Sequence, residues 1–170
     1  MSDETTARPD GSTFTATAEQ YLTFALDREL FAIPILAVQE IRGLEAVSRI
    51  PRSPDYVLGV MNLRGAVVPV IDLRARLSIE RCERTPTTVV IVVRLASGAG
   101  ADRVVGCMVD AVSDVAHIAD SSVRPPPEAC GRVAGQFLKG IVEVDGRLVL
   151  LVDLPRLIGD AARKAEQDAA

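Results

Sequence analysis

The sequence predicts an all-β chain built from a duplicated unit, and three observations carry that prediction. Val57 to Leu77 reads V-L-G-V-M-N-L-R-G-A-V-V-P-V-I-D-L-R-A-R-L, two apolar runs of ordinary strand length parted by the polar pair Arg64-Gly65. Gly140 to Ile158 reads G-I-V-E-V-D-G-R-L-V-L-L-V-D-L-P-R-L-I and repeats that pattern at a constant offset. It pairs Gly59 with Gly140, Gly65 with Gly146, Asp72 with Asp153 and Leu73 with Leu154. Finally, 48% of the residues are hydrophobic but only 4% aromatic, with no tryptophan, so the core must be built from Val, Leu, Ile and Ala. That composition suits β packing.

Taken in order, Met1 to about Ala18 is too rich in Thr, Ser, Asp and Glu to bury a core and is expected to be a disordered leader. Gln20 to Leu26 alternates Tyr21, Thr23 and Ala25 against Leu22, Phe24 and Leu26, a half-buried strand. Asp27-Arg28-Glu29 turns it into a second strand, Leu30 to Ile35. If Val38 to Ile41 is extended, Val38 and Glu40 share one face and Gln39 and Ile41 the other. Pro51 and Pro54 mark a loop before the central hairpin.

In that hairpin, Val57 to Leu63 and Ala66 to Ile71 are the strands, and Gly65 supplies the positive φ of a two-residue turn. Arg64 is thereby displayed at the tip. The near-continuous Val67, Val68, Val70 and Ile71 imply a strand covered on both faces, with Pro69 pushing it toward an edge or a bulge. Asp72 stands where the short helical pattern Leu73 to Leu77 needs an N-cap. Arg81 to Pro86 links the halves.

Thr87 to Leu95 and Arg103 to Val109 then form a hairpin around the loop Ser97 to Asp102. Ala32 to Ile41 is echoed by Gly106 to Val115 in the order of small, aliphatic and acidic residues. Val123 to Gly135, with three consecutive prolines, predicts a mobile surface loop. The second copy of the central hairpin turns at Asp145-Gly146, and Asp153 again precedes a short helix, opened by Pro155. Asp160 to Ala170 is a helical or frayed tail.

Several functional classes have no footing in these residues. A net charge of −4 without a dense basic stripe gives no electrostatic reason to bind nucleic acid. Cys82, Cys107 and Cys130 share no ligand spacing with one another or with His117, so no zinc site or disulfide framework is expected. No stretch of 18 apolar residues and no signal-like N-terminus is present, so a cytoplasmic protein with reduced thiols and no membrane insertion is expected. The single histidine, His117, lies in A-H-I-A and reads as a surface residue. Asp72 and Asp153 read as helix caps rather than a carboxylate pair. No glycine-rich phosphate loop runs into a helix, so neither cofactor nor nucleotide is expected.

From Tyr21 to Ile158 the chain resembles the CheW family of chemotaxis coupling proteins. The resemblance is carried by Y-L-T-F-A-L-D-R-E-L-F-A-I-P-I from Tyr21, V-Q-E-I at Val38 to Ile41 and V-L-G-V-M-N-L-R-G at Val57 to Gly65. It continues in V-V-P-V-I-D-L at Val67 to Leu73 and G-R-L-V-L-L-V-D-L at Gly146 to Leu154. It implies two packed five-stranded SH3-like β-barrel lobes with short helices after the duplicated hairpins. The expected domain is 19–158, with lobes at about 19–84 and about 85–158 whose strands can interleave, followed by a tail at 159–170.

The implied role is a non-enzymatic adaptor joining chemoreceptor cytoplasmic tips to the regulatory domain of the CheA histidine kinase, with other CheW copies as further partners. An adaptor of a related pathway, twitching motility or development, is the alternative. With nothing following Ala170, a fused kinase or receiver domain is not expected. Carried onto matching positions, the receptor-facing residues are Val38, Glu40, Gly59, Asn62, Arg64 and Gly65; the kinase face is placed only at the barrel ends. The stretch Val123 to Gly135 is longer and richer in Pro and Gly than the family's usual link.

Overall fold

The computed structural model describes residues 18–45, 47–80, 82–96, 98, 100–128 and 135–159. Ten strands and two short helices account for most of them. In chain order they are β1 (Ala18–Leu26), β2 (Glu29–Pro34), β3 (Val38–Gly43), β4 (Val57–Leu63), β5 (Ala66–Asp72), α1 (Leu73–Arg76), β6 (Val89–Leu95), β7 (Arg103–Val109), β8 (Ala111–Ala119), β9 (Leu138–Val144), β10 (Arg147–Val152) and α2 (154–159). Most of the expected leader, residues 1–17, lies outside the described residues, as do 129–134 of the Pro/Gly-rich loop and 160–170 of the tail. Ala18 already belongs to β1 and Gly159 to α2.

The two copies of the central hairpin are equivalent in backbone detail. Arg64 and Gly65 have φ of 51° and 88°, and Asp145 and Gly146 have 49° and 78°, so both turns place two successive residues in the left-handed region, the type I′ geometry that matches strand twist. Asp72 Oδ1 accepts the Arg74 N–H at 3.0 Å and Asp153 Oδ1 that of Arg156 at 3.2 Å, so both aspartates cap the helices that follow. The Asp72 N–H donates to the Tyr56 carbonyl at 2.7 Å and the Asp153 N–H to the Phe137 carbonyl at 2.8 Å.

The strands form two five-stranded sheets, ordered β8-β1-β2-β10-β9 and β3-β6-β7-β5-β4. Equating β1–β5 with β6–β10 turns one order into the other, so the halves have exchanged hairpins. Each sheet combines the first two strands of one repeat with the last three of the other. The strands thus interleave between the halves at about 19–84 and about 85–158. The physical reason lies in the crossings: a tight 3-10 turn at Ile35–Ala37 sends β3 away from its own hairpin to pair with β6, and the single residue Asp110 does the same for β8 toward β1.

Closing each sheet brings its edges together across one bridge. Ser48 exchanges backbone hydrogen bonds with Val60 at 2.8 and 2.9 Å, and Arg124 does the same with Ile141, so part of the expected mobile loop is tied to β9. These bridges need glycine beside them. A Cβ on Gly59, whose φ is +145°, would lie 2.1 Å from the Ser48 oxygen, and one on Gly140 would lie 2.6 Å from that of Arg124.

Pro69 lies inside its sheet, between β4 and β7, not at an edge. Counting from the closing pair Leu63 and Ala66, the Val60 and Pro69 pair is a non-hydrogen-bonded one, so the proline nitrogen points toward β7, whose pairing starts only at Val70. No ladder bond is lost. Val67 also departs from expectation: it is exposed rather than covered.

Three apolar cores result. Met61, Val68, Val70, Val90 and Val92 fill one barrel, and Tyr21, Ala32, Ile118, Val142, Val149 and Leu151 fill the other. The largest core lies between them and draws on both halves, with Phe24 and Phe31 stacked at 5.9 Å among Ile71, Ile91, Val105, Leu154 and Leu157. This explains the unbroken apolar run of β6, where Val90 and Val92 face a barrel and Ile91 and Val93 the shared core.

The side chain of Arg74 in α1 adds a polar clamp. Its Nε donates to both oxygens of Asp110 at 2.8 and 3.0 Å, its Nη2 to the same carboxylate, and its Nη1 to the Glu80 carbonyl at 2.5 Å. Asp110 also accepts the Asp27 N–H at 2.7 Å, so one carboxylate ties the β1–β2 turn, the β7–β8 crossing and α1 together. Burial pushes the Asp110 pKa up, but the Arg74 hydrogen bonds, the Asp27 N–H and the Arg74 charge together hold it below its ordinary 3.8.

Two stability predictions follow from these contacts. The folded Asp110 value is the depressed one, so its contribution is complete above pH 3.8 and is lost as pH falls through the folded value. Urea unfolding of Asp110→Asn at neutral pH should show a loss of roughly 2 kcal/mol, since the largely buried Arg74 then keeps only the more distant Asp27 carboxylate at 3.9 Å. The gap to the parent should shrink as the pH is lowered beneath 3.8; a gap that stays constant would refute the assignment. Gly59→Ala should cost about 3 kcal/mol, because both the backbone angle and the Ser48 contact are violated. A thermal melt indistinguishable from the parent would show that the bridge tolerates a side chain.

Candidate functional site

β3 is the edge strand of its sheet, and its burial alternates as its sequence predicts: Val38 and Glu40 are half-buried while Gln39 and Ile41 are exposed. A bulge between Val38 and Glu40 shifts the pairing with β6 and re-aims the strand. Across from it stands the tip of the β4–β5 hairpin. There Asn62 Oδ1 accepts the Gly65 N–H at 2.9 Å, which pins the type I′ turn and with it the backbone of Arg64.

The two charges meet. Arg64 Nη2 donates to Glu40 Oε2 at 3.2 Å, with the Arg64 side chain 78% exposed and that of Glu40 only 21%. The arginine is the outward partner and the glutamate sits beneath it. Glu40 Oε1 is buried and has no hydrogen-bond partner among the described residues.

Of the six residues chosen from the sequence, Glu40 and Arg64 touch, Asn62 and Gly65 touch, and Val38 shares the strand face of Glu40 while packing against the central core. Gly59 stands apart. It is buried, and the space its missing side chain leaves is filled by Ser48 and Val47 of the same chain rather than open to a partner. Two exposed apolar residues were not singled out: Ile41, and Leu36, which is 96% exposed in the 3-10 turn. Leu36 lies within the apolar stretch Phe31 to Val38, so no periodic signal in the sequence marks it as exposed, although it stands in the turn by which the chain crosses from one barrel to the other.

The duplication makes the site asymmetric. At the positions equivalent to Glu40 and Arg64 the second repeat has Asp114 and Asp145, two acids, and Asp114 Oδ1 instead accepts the N–H of its neighbour Val115 at 2.7 Å. Only one barrel carries the ion pair.

Residues with chemical potential elsewhere are placed as follows. His117 is exposed on β8 with Nε2 3.1 Å from Gln20 Nε2. Cys107 is buried, and burial pushes its thiol up to about 12, which keeps it protonated and unreactive. Cys82 is exposed, and Cys130 lies outside the described residues. Among the described residues no three of His, Cys, Asp and Glu gather as a metal site, and no helix is long and apolar enough to cross a membrane. What the β3 face and hairpin tip offer is recognition chemistry: an outward guanidinium, a buried acceptor and exposed aliphatic side chains.

Comparison with known proteins bears on this arrangement. Residues 20–162 match the family model described as CheW-like domain. The chain is 41% identical over 140 residues to the chemotaxis protein CheW of Klebsiella aerogenes, covering 82% of this chain and 81% of that protein. It is 38% identical over 146 residues to the chemotaxis protein CheW of Rhizobium meliloti, covering 86% and 91%. The crystal structure of the scaffolding protein TtCheW from Thermoanaerobacter tengcongensis superposes with a TM-score of 0.74 at 29% identity, covering 83% of this chain and 88% of that one. With its paired five-stranded barrels and this extent of similarity, the chain belongs to the CheW-like domain family of chemotaxis scaffold proteins.

Proposed function

We propose that this protein is a non-enzymatic adaptor that couples the cytoplasmic tip of a chemoreceptor to the regulatory domain of the CheA histidine kinase, working in the cytoplasm within receptor arrays that can include further copies of itself. The observation that carries the reading is the Arg64–Glu40 pair, an exposed guanidinium seated on a half-buried carboxylate beside Val38 and the exposed Ile41. A receptor tip is a helical hairpin. An amphipathic helix laid against an aliphatic face takes its register from charges at the edge of that face, which is what Arg64 supplies. Val38, Glu40, Asn62, Arg64 and Gly65 form the receptor-facing set, with Asn62 and Gly65 acting through the turn that they fix. Gly59 belongs to the set only indirectly, as the residue that lets β4 meet Ser48.

The kinase is proposed to bind the barrel ends, apart from this face, so the two partners should be separable. Arg64→Glu sets a second carboxylate beside Glu40 at an exposed position, which should shift stability by only about 0.5 kcal/mol. It should weaken capture of a receptor signalling fragment by on the order of tenfold while leaving capture of the kinase regulatory domain intact. Parallel pull-downs and a thermal melt measure all three quantities. Equal loss of both partners with an unchanged melt would show that Arg64 does not mark a receptor-specific surface. Calorimetric titration with ATP should be flat, and saturable binding at micromolar ATP would count against an adaptor.

A further inference from the structure

A second polar site lies where the two repeats meet. Tyr56 and Phe137 occupy equivalent positions ahead of β4 and β9, each held by the backbone bond from the capping aspartate, and the guanidinium of Arg76 packs over both rings. Its carbon lies 4.3 Å from the centre of the Tyr56 ring and 4.5 Å from that of Phe137. Arg76 Nε donates to the Leu157 carbonyl at 3.1 Å, and Leu157 is the residue that the second repeat has in place of Arg76. The site therefore exists once.

Arg76 contrasts with Arg74 two residues earlier. Arg74 is saturated by Asp110 and the Glu80 carbonyl, whereas the Nη1 and Nη2 groups of Arg76 have no acceptor among the described residues. Arg76 lines a groove of about 540 Å³ together with Gln136, Phe137 and Arg156. Arg156 is 69% exposed, and its Nε stands 3.6 Å from Asp153. Among the described residues lining this groove the charged side chains are Arg76 and Arg156, both cationic, which favours an anionic occupant. The two rings restrict what can enter. Tyr56 and Phe137 each present a ring face to the guanidinium, which leaves its Nη edge for an acceptor. A carboxylate matches that edge with two parallel N–H bonds, and it is the oxyanion that an unmodified protein segment carries.

We propose that the Arg76 groove is a carboxylate-binding site that takes an Asp or Glu side chain from an acidic segment of a protein partner lying across the junction of the two barrels. Holding Arg76 in place before binding removes the side-chain ordering that an exposed arginine would otherwise undergo, and the groove's open form suits a peptide better than an enclosed metabolite. The inference does not rest on the receptor-coupling reading, because the groove shares no lining residue with the β3 face.

The test uses the full chain with ¹⁵N-detected arginine side chains and a defined probe, acetyl-Glu-Ala-Glu-amide, with acetyl-Gln-Ala-Gln-amide as control. Saturable shifts of the Arg76 and Arg156 Nε–H signals by the glutamate peptide alone are expected. Arg76→Met keeps an apolar body against the rings and should weaken the peptide by about tenfold. Arg156→Gln, at an exposed position, should weaken it less without moving the melt, and it decides the matter if Arg76→Met fails to fold. Arg49→Met, far along the sequence on another loop, should change nothing. Shifts spread equally over Arg49 and Arg76, retention of full affinity by both groove variants, or inorganic phosphate displacing the peptide at lower concentration than succinate would each overturn the proposal.

Discussion

Neither half of this chain can close a barrel alone. Each repeat sends its first hairpin into the sheet of the other and keeps only three strands, so every barrel wall contains two seams between repeats: one antiparallel, β1 with β8 or β6 with β3, and one parallel, β2 with β10 or β7 with β5. The remaining constraints derive from this exchange. The hairpins β1–β2 and β6–β7 must be apolar on both faces, because one face lines a barrel and the other the shared core. The crossings must be tight, and glycine is needed where the closing bridges meet β4 and β9.

On this symmetric frame the polar residues are placed asymmetrically. The Arg74–Asp110 clamp, the Arg64–Glu40 pair and the ring-stacked Arg76 each lack a counterpart in the second repeat, where the equivalents of Arg74, Arg64 and Arg76 are Pro155, Asp145 and Leu157. A duplicated fold offers two similar surfaces, and discrimination between them requires such differences. The backbone is repeated while the charges are not.

Features that depend on local chemistry were legible from the sequence. The two type I′ turns, the capping aspartates and the alternation along β3 each involve residues within a few positions of one another, so their pattern determines them. The assignment of strands to sheets was not legible, because an apolar strand such as Val89–Leu95 carries no label for its partner; the exchange is set by crossings three residues and one residue long. The candidate site was half legible. Arg64 at a turn tip could be read directly, but the burial of Glu40 beneath it depends on the barrel bringing β3 to that tip. The neighbour of Gly59 was hidden for the same reason: only the closed barrel shows that Ser48 occupies the space beside it. The Tyr56, Arg76 and Phe137 stack joins residues far apart in the chain, and no short window contains it.

The exchange also governs the order in which the nascent polypeptide can become native. β1 and β2 leave the ribosome first, yet their sheet partners β8, β9 and β10 are the last strands to be made, ending at Val152. During synthesis at about 5–20 residues per second, Phe24, Leu26 and Phe31 stay without a sheet for several seconds. Vectorial folding is open to the β3–β7 barrel, whose strands are consecutive in the chain, but the barrel of β1, β2 and β8 to β10 must wait for β10 and for contacts of high sequence separation. Until β10 is made, the β1–β2 hairpin carries apolar side chains that only the finished molecule buries, Phe24, Leu26 and Phe31 among them.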